Sequence, residues 1–100
     1  MTAIWKHTVP MPDNRGRSWI NLPAGARLLS VGIQDDGGMV VWSLVSHDRA
    51  EDEMESGPRR LIVVNTGGDI EMPDGARFLG TVDDEGIVWH VFDGDAETTA

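Results

Sequence analysis

The chain has no cysteine, no tyrosine and only two phenylalanines. Without cysteine there is no disulfide, no thiol nucleophile and no thiolate ligand for zinc. The 100 residues must therefore hold together on a single core. A chain of this size buries roughly 60 to 70% of the surface its unfolded form exposes, which is enough for one domain, 1–100, without staples. Long apolar runs are also missing. Stretches such as Met39–Trp42 and Leu61–Val64 fall far short of the ~18 residues a membrane-spanning helix needs. Residues 1–12 hold no continuous apolar stretch of signal-peptide length, so export by that route is not indicated. Basic residues are scarce, eight Lys and Arg against seventeen Asp and Glu, for a net charge of −9.

That charge is unevenly placed. Lys6, Arg15, Arg17, Arg27 and Arg49 against Asp13, Asp35, Asp36 and Asp48 leave residues 1–50 at +1, whereas three arginines against thirteen acids leave residues 51–100 at −10. The densest acid lies in 47–58, read as an acidic loop between two halves, and in 93–100, read as an acidic tail. Such a molecule repels a phosphate backbone and an anionic bilayer, so neither non-specific nucleic acid nor membrane is an expected partner.

What is present is a repeat. Leu22-Pro23-Ala24-Gly25-Ala26-Arg27-Leu28-Leu29 matches Met72-Pro73-Asp74-Gly75-Ala76-Arg77-Phe78-Leu79 at an offset of fifty residues. Each copy runs through an acidic, glycine-containing turn, Asp35–Gly38 or Asp83–Gly86, into Val-Val-Trp42 or Ile-Val-Trp89. Two strand–turn–strand units account for this pattern. Alternation supports strands: Leu29, Val31 and Ile33 fall on one face, and Leu28, Ser30, Gly32 and Gln34 on the other. Met39–Ser46, Ile87–Phe92 and Leu61–Val64 are apolar on both faces, as in central strands. Short strands near Trp5–Val9 and Ser18–Leu22 bring the count to about seven. The expected fold is all-β, a small sandwich or partly open barrel of about seven strands built from two repeated hairpin units.

Residues suited to catalysis are few. His7, His47 and His90 are the histidines; His90 shares a strand face with Val88 and Phe92 and reads as a partly buried, hydrogen-bonded imidazole. No serine stands in a Gly-x-Ser-x-Gly elbow, and the paired carboxylates sit in turns and tails, where water keeps them ionised and equivalent. Asp93-Gly94-Asp95-Ala96-Glu97 lacks the later glycine and bidentate glutamate of a calcium loop. No catalytic residue, metal or cofactor is expected.

Binding has more material. Asn65, Thr66, Gly67 and Gly68 follow an apolar strand directly, and consecutive glycines let backbone amides converge on an anion. Arg59 and Arg60 lie at the other end of that strand. Arg27 and Arg77 occupy matching repeat positions, suited to phosphate or carboxylate if a pseudo-twofold brings them to comparable rims. Trp42 and Trp89 read as core, while Trp5, Trp19 and His90 are the candidate interface or ligand-stacking residues. Pairing edge strands into a homo-oligomer would bury that surface.

Several segments in order, Ile4-Trp5-Lys6, Pro23-x-Gly25-Ala26, Leu29-x-Val31-x-x-Gln34, Trp42-x-Leu44-Val45, Arg60, Thr66-Gly67, Phe78-Leu79-Gly80-Thr81 and Trp89-His90-Val91-Phe92, resemble an uncharacterised family of small bacteriophage-encoded proteins, many from phages of actinobacteria. The similarity spans roughly Ile4 to Phe92. It implies an accessory protein in the host cytoplasm and carries no settled activity. Three readings follow: a binding protein that sequesters a small anionic, nucleotide-like immune signal, a protein that binds and modulates a host enzyme, and a minor virion or assembly component.

Overall fold

The computed structural model describes residues 2–46 and 56–96. Seven strands follow in order: β1 (Thr2–Thr8), β2 (Arg17–Pro23), β3 (Arg27–Ile33), β4 (Met39–Ser46), β5 (Ser56–Asn65), β6 (Arg77–Asp84) and β7 (Ile87–Asp93). They form two antiparallel sheets: sheet A in the order β1-β4-β3 and sheet B in the order β2-β5-β7-β6. The three strands apolar on both faces, β4, β5 and β7, are the interior ones. The shortest extent of the molecule is 18 Å, about what two sheets stacked ~10 Å apart require. The fold is all-β and sandwich-like, with no closed barrel.

Turn chemistry sets these elements. Pro23-Ala24-Gly25-Ala26 and Pro73-Asp74-Gly75-Ala76 both close with the fourth amide on the proline carbonyl, at 3.1 and 3.2 Å, and put the glycine at φ +78° and +77°. These angles are those of a type II turn, which requires glycine at the third position. The β6–β7 hairpin closes on Glu85 and Gly86, both with positive φ, as a two-residue hairpin compatible with strand twist demands. Asp83 Oδ1 accepts the Gly86 amide at 2.8 Å there.

One core lies between the sheets. Leu28, Val41 and Val45 of sheet A meet Ile20, Leu22, Leu61, Val63, Leu79 and Val91 of sheet B, with Trp5, Val31, Met39 and Trp89 packed at its margin. The two sheets also come together where β3 lies against β6. Both of these strands carry a β-bulge at the same repeat position, Leu29 and Leu79. Gly80 is required at this contact, since a Cβ there would stand 2.9 Å from Val31 Cγ1.

The bulge breaks the alternation read from the sequence. Leu28 faces the core with Val31, and Ser30 and Gly32 face outward. A larger departure concerns the repeat itself, because the two hairpins bury opposite faces. Val41, Ser43 and Val45 point inward in β4, whereas their counterparts Val88, His90 and Phe92 point outward in β7, where Trp89, Val91 and Asp93 point inward. Trp89 thus packs against the core and Trp42 does not. The Trp42 ring lies on the outer face of sheet A over Gly32, where a Cβ would stand 2.8 Å from it.

Two boundaries also differ from the sequence reading. Ser56, Gly57 and Pro58, assigned to the acidic loop, open β5 and pair with Pro23, Leu22 and Asn21; the rest of that loop, with His47, lies outside the described residues. Asp93, assigned to the tail, ends β7 at 2% exposure.

His7 is the described histidine on the inner side. Its Nε2 is hydrogen-bonded to Ser43 Oγ at 2.7 Å, and burial holds its pKa below the ordinary 6.5. The unfolded chain therefore binds a proton more readily than the folded one, so stability is full above pH 6.5 and falls as pH drops from there through the folded-state value. Urea midpoints measured across about pH 5 to 8 should decline on the acid side in the wild type and much less in His7→Gln. An equal decline in both would contradict this origin.

Candidate functional site

The outer face of sheet B is the most featured surface of the described residues. Strand parity lines up Arg17, Ile62, Phe92 and Phe78 across its four strands in one row. Trp19 stands beside Arg60 in the next row, and Val64, His90 and Thr81 form the row on the other side. The chain's two phenylalanines meet here with ring centroids 5.3 Å apart and planes tilted by 59°. Phe78 is 55% exposed and Trp19 49%.

β5 and β6 run parallel with β7 between them, so residues 66–76 must cross back along the sheet. That connection runs over the outer face of sheet B. Between it and β2–β5 lies an open groove of about 1050 Å³, with Arg15, Arg17, Arg60 and Ile62 on one side and Asp69, Glu71, Met72 and Asp74 on the other. Gly16 fits under Ile70, since a Cβ there would stand 3.0 Å from Ile70 Cγ2.

His90 is pinned on this face. Its Nε2 is 2.7 Å from Thr66 Oγ1 and its Nδ1 is 3.0 Å from Thr81 Oγ1. Both ring nitrogens are therefore engaged, one more than the single bond read from the sequence. The His7–Ser43 pair on sheet A is the same device with the partners exchanged. In both, the hydroxyl and imidazole sit one diagonal step off the β-pair register, on β1–β4 in one case and β5–β7 in the other. Ser43 is 0% exposed, so its hydroxyl meets no substrate.

The residues singled out from the sequence separate. Arg59, 7% exposed, puts Nη1 3.1 Å from Asp93 Oδ2 and Nη2 2.9 Å from the Ala26 carbonyl. Arg60 pairs with Asp95 at 3.3 Å and donates to the Gly94 carbonyl, while its buried Nε has no partner. Arg77 donates to the Leu28 carbonyl across the β3–β6 contact, whereas Arg27 is exposed on sheet A. The repeat arginines thus have different settings. In the glycine turn the Thr66 amide donates to the Val88 carbonyl at 3.0 Å and the Gly68 amide to the Asn65 carbonyl at 2.9 Å, so two of its amides are already engaged; Gly67 takes φ +86°. Trp5 lies inward at the core margin and Trp19 outward.

Charge follows the same division. Among the described residues the Arg17, Arg59 and Arg60 side chains are paired with carboxylates and that of Arg77 bonds a carbonyl, which leaves the guanidinium groups of Arg15 and Arg27 without a hydrogen bond. Asp69, Glu71, Asp74 and Asp83, around the outer face of sheet B, have no cation of the described residues within 4.0 Å. The surface around the aromatic row is net acidic. Sequence reasoning passed over Phe78, Phe92 and Arg17; the shared parity of Phe92 with His90 was the available signal, and the bulge at Leu79 hid Phe78.

No three His, Asp or Glu side chains among the described residues group as a metal site, and no described helix is long and apolar enough to cross a membrane.

Two antiparallel sheets on one core, with an aromatic row in an acidic surround, define an all-β two-layer protein. The chain belongs to the family described as a domain of unknown function, DUF7352, whose model matches residues 1–100. No curated protein and no solved structure matches it.

Proposed function

We propose that the protein is a non-enzymatic binding module that docks a protein partner on the outer face of sheet B. The observation that carries this reading is the pair of exposed aromatics Phe78 and Trp19 on one sheet, with the half-buried Phe92 packed against Phe78. Large aromatic side chains of this kind dominate interface energetics, because they bury much area at little cost in side-chain entropy. The unpaired carboxylates of the crossover and of Asp83 select a partner with a basic rim around an apolar recess. The resemblance to phage proteins supplies the setting, a host enzyme modulated in the cytoplasm of an infected cell.

Affinity capture from host extract tests this with the wild type beside Trp19→Ser/Phe78→Ser, both positions being exposed enough to leave the fold intact. Loss of two anchors worth about 2 kcal/mol each should weaken capture by roughly several hundredfold. Raising salt toward 1 M, where the screening length is about 3 Å, should release the partner. Identical captures by both proteins would overturn the reading.

A second reading is supported by the unpartnered Arg60 Nε and by Arg15 in the groove: sequestration of a small anionic, nucleotide-like molecule. It is recognised by thermal shift, since a ligand at ~100 times its Kd adds about 2.7 kcal/mol. The virion reading has no feature of the fold in its favour.

A further inference from the structure

We infer that β1 is a self-association edge, and that a second copy of this chain pairs with it antiparallel, Ile4 opposite Lys6, to make a continuous six-stranded sheet β3-β4-β1-β1-β4-β3. This rests on the backbone of sheet A and is independent of the docking face on sheet B.

The four edge strands of the two sheets are not equally open. β3 and β6 lie against each other, and Arg77 covers the Leu28 carbonyl there. On β2 the Gly16 carbonyl accepts the Val63 amide at 2.7 Å, so in an antiparallel ladder the main-chain groups of Arg17, Trp19, Asn21 and Pro23 face away from β5. Asp13 blocks the first of these. Its Oδ1 takes the Arg17 amide at 2.9 Å, and its own amide donates to the Arg17 carbonyl at 2.8 Å. Pro23 has no donor to offer. The β2 edge is thereby shortened to Trp19 and Asn21, a common way of blunting an edge.

β1 has no such protection among the described residues. The Val9 amide donates to the Met39 carbonyl at 2.9 Å, which fixes the phase of the ladder. Ala3, Trp5 and His7 then bond to β4, and the N–H and C=O groups of Thr2, Ile4, Lys6 and Thr8 point to the free edge. The same four residues are the exposed ones, so main chain and side chain agree. The strand has no proline and no bulge.

Its sequence is complementary to itself. With Trp5 of both copies on the twofold axis, Thr2 faces Thr8 and Ile4 faces Lys6, and every outward N–H and C=O finds a partner. No like charges stand directly opposite each other. In a molecule of net charge −9, residues 1–12 contain no Asp or Glu, so two copies meet here with the least repulsion. An isologous contact of this kind closes a dimer and leaves no β1 edge for further growth.

Sedimentation equilibrium and amide hydrogen exchange on the full chain test the proposal. A dimer is expected, and the Ile4, Lys6 and Thr8 amides should become protected as concentration rises, while Trp5 and His7 are protected throughout. Lys6→Pro removes an outward donor from each copy and none from the β1–β4 ladder, so it should weaken the dimer by roughly tenfold or more. A chain monomeric at submillimolar concentration would overturn the inference. So would a dimer in which the Ile4 and Lys6 amides exchange freely, which needs no variant to observe.

Discussion

Replacing Arg59 by methionine is expected to lower folding stability by about 3 to 5 kcal/mol, the usual cost of stranding one partner of a buried ion pair. Asp93, at 2% exposure, would keep the Asp95 amide on Oδ1 at 3.0 Å and lose the guanidinium on Oδ2, leaving a charge that water cannot reach. The Ala26 carbonyl, 2.9 Å from Nη2, would lose its donor as well. Arg59 thus joins β5 and β7 of sheet B to the turn that starts β3, and serves the fold. Because both charges have been taken out of water, Arg59→Met/Asp93→Leu should recover much of the loss, and a double-mutant cycle from urea unfolding will read the coupling. Single variants that each cost less than about 1 kcal/mol would show that the pair is solvated.

The second large effect separates two tryptophans that the repeat makes equivalent. Trp89→Ala should cost about 3 kcal/mol or more, the range for deleting an indole packed on a core. Trp42→Ala removes a ring from the outer face of sheet A and should cost clearly less. Gly32→Ala provides the converse test, because its Cβ would stand 2.8 Å from the Trp42 ring and must displace it. Thermal or urea unfolding measures all three. Equal costs at Trp42 and Trp89 would mean that both hairpins bury the same face.

Much of the architecture was legible from the residues. Alternation, the acidic glycine turns and the fifty-residue repeat specify strands, hairpins and their number, because each rests on local backbone chemistry. The inversion of the second hairpin was not legible. A strand apolar on both faces, such as Ile87-Val88-Trp89, carries no mark of which face turns inward, and the sheet that receives it decides. The bulges at Leu29 and Leu79 are likewise silent in a pattern of leucines. The candidate site was less readable for the same reason. An arginine beside a strand looks the same whether it faces solvent or, like Arg59, a buried carboxylate thirty-four residues away. Trp5 and Trp19 carried one reading, an indole near an edge strand, and only Trp19 is outward, because the side each strand turns to the core decides it.

The central claim is that an aromatic row in an acidic surround holds a protein partner. A photo-reactive phenylalanine analogue at position 78 tests it most directly, with one at Arg27 on sheet A as the control. In host extract the account predicts a covalent product at position 78, with a protein of basic surface, that is absent at position 27 and lost at high salt. Equal labelling from both positions, or none from 78 while a nucleotide stabilises the fold, would contradict it.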